Sequence, residues 1–156
     1  MPVALLLGWL LAAAWGQGRP SVMAPRDPNA SQEPPGPLDL MRDLSGQDGP
    51  DRLLAARDLR RMARRNLKLS NRQRGDELVV NDAIVQLAEL DHLVAPTCSG
   101  LLTAGAVARP CADILGILET VTALPALQAA LPSAGRRNRR HLERAIKRIE
   151  RAQAPG

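Results

Sequence analysis

From Leu38 to Arg151 the apolar positions recur at intervals of three and four, with polar and charged residues between them. That is the period of an α-helix packed on one side, and no useful length of strict alternation interrupts it. "LDLMRDL", Leu38 to Leu44, is short and stops at Ser45-Gly46, so it predicts at most a single turn. Asp51 then offers an N-cap for "RLLAARDLRRMARRNLKL", in which Leu59, Met62, Ala63 and Asn66 mark one face. "DELVVNDAIVQLAELDHLV" is the clearest pattern, with Val80, Ala83, Ile84, Leu87, Leu90 and Val94 at helical spacing and Pro96 as its expected end. "CADILGILETVTAL" repeats the pattern through Cys111, Ile114, Leu115, Leu118 and Val121, before Pro125 and Pro132 punctuate the chain. A last stripe, Leu142, Ala145, Ile146 and Ile149, begins inside the basic run that opens at Gly135. The expected fold class is all-α: a small helical bundle over residues 51–153.

The chain ahead of these helices has a different composition. Val3 to Ala14 is an apolar run of signal-peptide length, closed by Ala14-Trp15-Gly16 with small residues where a signal peptidase reads. Residues 1–16 are therefore expected to be a secretory leader, and the mature chain to be secreted, with no membrane span. Residues 17–50 are dense in Pro, Gly and small polar residues and are expected to be disordered, because they cannot bury enough apolar surface to offset their ordering entropy. Within them Asn29-Ala30-Ser31 matches the N-glycosylation acceptor pattern, which makes Asn29 a candidate glycan site.

Both tryptophans, Trp9 and Trp15, fall inside the leader, and the chain has no Phe or Tyr. The core must then be built from Leu, Ile, Val, Ala and Met, which suits packed helices. Rings for stacking bases or caging cations are absent from the mature chain, so nucleic acid is not an expected partner. The net charge of +5 conceals a block pattern: −3 over 19–51, +8 over 52–74, −6 over 75–135 and +6 over 136–151. Two strongly basic segments thus flank an acidic, apolar centre.

Cys98 and Cys111 are the only cysteines. In an oxidising compartment they are expected to pair, closing a loop that stabilises the fold by about 3 kcal/mol in the chain-entropy model. Two free thiols, or pairing with another chain, are the alternatives. Neither His92 nor His141 has metal-ligand spacing to the cysteines, so no metal or other cofactor is expected. The chain has no nucleophile elbow and no phosphate loop. Asp91 and His92 are neighbours that splay apart on a helix, so His92 reads as a surface or boundary residue. The expectation is a non-enzymatic protein.

"AIVQLAELDHLVAPTCSGLLTAG", Ala83 to Gly105, resembles the first helix and following loop of the short-chain four-helix cytokines of the interleukin-4 and interleukin-13 type. "PCADILGILETVTAL" is similar to the next helix of that family, again opening at a cysteine, and Leu142 to Arg151 is similar to its last helix. The helix beginning at Asp51 has no counterpart ahead of the family's first helix. The resemblance implies a secreted signalling ligand that acts through a cell-surface receptor, with the cysteine pair as a structural element.

Two further readings come from the basic runs. "RRMARR", Arg60 to Arg65, and "GRRNRR", Gly135 to Arg140, contain dibasic pairs and fit the R-x-x-R pattern of secretory convertases, which require exposed flexible chain. The first run falls on a helix, whereas the second is expected in a loop ahead of a helix starting at His141. The same arginines, Arg60, Arg61, Arg64, Arg65, Arg136, Arg137, Arg139 and Arg140, are also candidates for binding heparan-type glycosaminoglycan.

Overall fold

A computed structural model of the protein describes residues 35–46, 49–72 and 76–154. The leader, Asn29 and most of the Pro-rich segment lie outside these residues. Pro34–Gly156 forms one compact unit of six helices, with no strand among the described residues. In chain order these are α1 (Pro37–Ser45), α2 (Gly49–Ser70), α3 (Glu77–Gly100), α4 (Ala108–Leu118), α5 (Leu124–Ala130) and α6 (Arg136–Gln153), with one 3₁₀ turn at Val121–Ala123. The all-α expectation holds, and four elements differ from their sequence reading.

The first is α1, where a single turn at most was expected. Pro37 starts it with φ already set for a helix, Leu40 and Leu44 are buried, and the Arg52 guanidinium donates to the Gly46 carbonyl, fastening its end to α2. The second is α3, which runs through Pro96 to Gly100. Pro96 lies on the exposed side, where water can take the carbonyl it leaves unpaired, while Cys98 and Leu102 anchor the next turn inside. Ile84, expected in the buried stripe, is exposed, whereas Ala83, Leu90 and Val94 are buried.

The third difference follows α4. Glu119 turns left-handed at φ 55°, and the Thr120 amide closes back on the Leu115 carbonyl at 3.1 Å, so the stripe stops before Val121, which is exposed. Pro125 then sits in the first turn of α5 and starts that helix, where the sequence pattern read only punctuation. The fourth is α6, which begins at Arg136 and leaves no Gly135–Arg140 loop. Gly135 is its extended N-cap, and arginine is a good helix former whose charges remain in solvent at this end. The Asn138 side chain adds a donation to the Gly105 carbonyl at 3.3 Å. The predicted stripe of α6 is buried in full: Leu142, Ala145, Ile146 and Ile149.

α4 is the axis of the bundle and packs against α2, α3 and α6, while α2 also packs on α1 and α3, and α5 on α6. Eight of its eleven residues are buried. Gly116 makes the α4–α6 crossing possible, because a Cβ there would lie 2.9 Å from the Ala145 Cα and 3.0 Å from its Cβ. The core is aliphatic throughout, with Leu44, Leu59, Ile114, Leu115, Leu127, Leu142 and Ile149 as its largest fully buried side chains. Two buried polar residues are satisfied: Asn66 donates to the Gln86 side chain at 3.0 Å, and Thr120 donates to the Asp91 carboxylate. Asp91 thereby ties α3 to the end of α4, while His92 is exposed.

Candidate binding faces

The segment "CADILGIL" of α4 carries one charge, Asp113, and the helix one acid. Its side chain is only 13% exposed, and it stands where α2 and α6 flank α4. Arg60 Nη1 donates to Oδ2 at 2.9 Å, His141 Nδ1 lies 2.6 Å from Oδ1, and Arg64 approaches Oδ2 at 3.8 Å. A carboxylate largely removed from water needs such partners, so this cluster joins three helices through one mostly shielded charge.

A cleft of about 570 Å³ opens beside Asp113. Its floor is formed by buried Ala112, Gly116, Ile117 and Ala145, and exposed Arg64, Lys68 and Arg144 line it from α2 and α6. Arg148 lies at the same edge, 3.4 Å from Glu119. The basic segments, about seventy residues apart in sequence, are therefore brought to the two sides of one helix.

The eight arginines expected to act together do not share a surface role. Arg60 and Arg64 face Asp113, whereas Arg61 pairs with Asp58 and lies with Arg65 on a second groove between α2 and α3. Arg136, Arg137, Arg139 and Arg140 are exposed on the first turns of α6, and Arg139 reaches the Leu131 carbonyl at 3.4 Å. Lys68, His141, Arg144 and Arg148 were missed by the sequence reading. The available signal was the four-residue spacing of Arg60, Arg64 and Lys68 in α2, and of Arg144 and Arg148 in α6, each of which places cations in a row.

A second face belongs to α3. Leu78 is 77% exposed and Val85 55%, with Ile84 also outward and Val79 exposed at the edge of the α2–α3 groove, so the first nine residues of this helix carry four of the seven large exposed apolar side chains among the described residues. Asp76, Glu77, Asp82 and Glu89 surround them, with no Lys or Arg between Asp76 and Glu89.

Cys98 and Cys111 are fully buried, with their sulfurs 3.2 Å apart. The structure holds them as two free thiols in contact, beyond the roughly 2.05 Å of a covalent bond. The expected partners are thus adjacent without the expected bond. The hydrogen bond to the Cys111 sulfur, followed by burial, pushes the Cys98 thiol well above its ordinary range.

Among the described residues no group of three or more His, Cys, Asp or Glu side chains forms a metal site, and no helix is long and apolar enough to cross a membrane. No family model, curated protein or solved structure matches the chain.

Proposed function

We propose that the protein is a secreted, non-enzymatic signalling ligand that acts by binding a cell-surface receptor through the outer face of α3. The observation that carries this reading is the group Leu78, Ile84 and Val85 held in solvent on a helix whose opposite side is in the core. Apolar side chains gathered in this way mark protein contact surfaces. Their acidic surroundings favour a partner with an apolar centre and a basic rim. The sequence resemblance to short-chain four-helix cytokines supports the same class of activity. In the secretory pathway Cys98 and Cys111, already adjacent, close to a disulfide, and Asn29 carries glycan. The rival reading, a peptide precursor, is disfavoured by the placement of both arginine runs on helices.

The test is binding of purified secreted protein to cells stripped of heparan chains by lyase, so that only protein receptors are counted. Saturable, protease-sensitive binding that L78D/V85D loses, with an unchanged thermal melt, is the expected result. Absence of saturable binding, or equal binding by the variant, would refute the proposal.

A further inference from the structure

We propose that the cleft between α2, α4 and α6 is a binding site for a sulfated polysaccharide, with Arg64, Lys68 and Arg144 as its sulfate-binding residues. The inference does not depend on which face meets a receptor. It uses the secretion reading only for the source of the polyanion.

The charge balance of the cleft comes first. Among the described residues Asp113 is its one carboxylate, and both of its oxygens are engaged, Oδ2 by Arg60 and Oδ1 by His141. Among the described residues, Lys68 and Arg144 have no carboxylate within 4 Å, and Arg64 has only the 3.8 Å approach to Asp113. The cleft therefore keeps surplus positive charge on side chains that reach solvent. Elsewhere Arg42 pairs with Asp39 and Arg61 with Asp58, while the exposed arginines at the start of α6 stand on a convex helix end with no apolar floor between two rows.

The arrangement also suits a chain better than a single ion. Asp113 meets His141, Gly116 meets Ala145 and Glu119 meets Arg148, so α4 and α6 run parallel along the cleft. Residues four apart on a helix are about 6 Å apart along its axis, so Arg64 with Lys68, and Arg144 with Arg148, present cations in rows on the two sides of α4. Between the rows the floor is small and apolar, at Ala112, Gly116, Ile117 and Ala145. A pyranose presents C–H faces between its charged substituents, and such a floor accepts the ring while the rows take the sulfates. Nucleic acid fits less well: the described residues include no Phe, Tyr or Trp on which a base could stack, and the one imidazole of the cleft, His141, is held by Asp113.

The experiment measures the affinity of the secreted protein for a heparin hexasaccharide by titration calorimetry, in parallel with its desulfated form and a single-stranded oligonucleotide of equal charge. The variant K68Q/R144Q changes two exposed positions, and R136Q/R137Q removes the same charge from the first turn of α6. The cleft variant is expected to bind the hexasaccharide about tenfold more weakly, with a salt dependence shallower by roughly two charges, and the control to lose about threefold or less. The desulfated chain and the oligonucleotide are expected to bind at least about tenfold more weakly than the hexasaccharide. Equal losses in the two variants, an unchanged K68Q/R144Q, equal affinity for the oligonucleotide or the desulfated chain, or no binding by the unaltered protein at physiological salt would each overturn the inference. Far-ultraviolet melts confirm that both variants remain folded.

Discussion

Replacing Asp113 with alanine should lower stability and raise polyanion affinity at the same time. Two charge-assisted contacts disappear, from Arg60 at 2.9 Å and His141 at 2.6 Å, together with the longer approach of Arg64. Hydrogen bonds to charged groups contribute about 1.5–3 kcal/mol each, and breaking a fully buried ion pair costs about 3–5 kcal/mol. Here the partners are only partly shielded, with the Arg60 side chain 28% and His141 21% exposed, so water recovers part of the loss. The expected destabilisation is about 2–3 kcal/mol, or roughly 10 °C in Tm for a domain of this size. The assay is thermal unfolding followed by dichroism at about 222 nm, because the described residues have no aromatic chromophore. Asp58→Ala is the comparison: it breaks an exposed pair with Arg61 and should cost less than about 0.5 kcal/mol. Asp113→Ala should also elute from heparin at higher salt than the unaltered protein, since the cleft loses its one negative charge. A D113A melt within about 3 °C of the unaltered protein would refute the interior role assigned to the carboxylate. Earlier elution from heparin would refute the electrostatics of the cleft.

Gly116→Val should separate α4 from α6, because even a Cβ meets the Ala145 backbone at 2.9 Å, and overpacking of this kind costs about 1–3 kcal/mol or more. A urea midpoint unchanged from the unaltered protein would show that the crossing is looser than described. In the reduced protein Cys98 keeps its proton when folded and releases it more readily when unfolded, so stability is fully present below the ordinary thiol range and falls as pH rises through it. Urea titrations with reductant at neutral and alkaline pH check this, and equal midpoints would contradict it.

Periodicity located a buried face completely where that face is set by the helix's own spacing, as in α6, whose whole predicted stripe is in the core. The misreadings are places where a tertiary contact overrides a local stop signal. Pro96 ends a helix in isolation, but here Cys98 and Leu102 hold the following turn inside. Arginines at the start of a helix oppose its dipole, and α6 nevertheless begins at Arg136, where their charges are solvated and Asn138 is held by the loop before α4. Ile84 matched a helical stripe by spacing, yet periodicity alone cannot say which of two apolar sides of α3 will find a partner. The basic segments were legible as composition, but their sorting into an Asp113-facing row and outward arginines depends on the crossing of α2, α4 and α6. The lone acid of "CADILGIL" was the one local hint of that crossing.

The proposed function requires an intact, folded secreted domain as the working product. Its most direct test is the intact mass of secreted protein after enzymatic deglycosylation, measured with and without reductant. The expected result is a single chain starting near Gln17, uncut at Arg65 and between Gly135 and Arg140, and lighter by two hydrogens before reduction. Fragments ending at either arginine run, or a secreted chain that retains the leader, would contradict it.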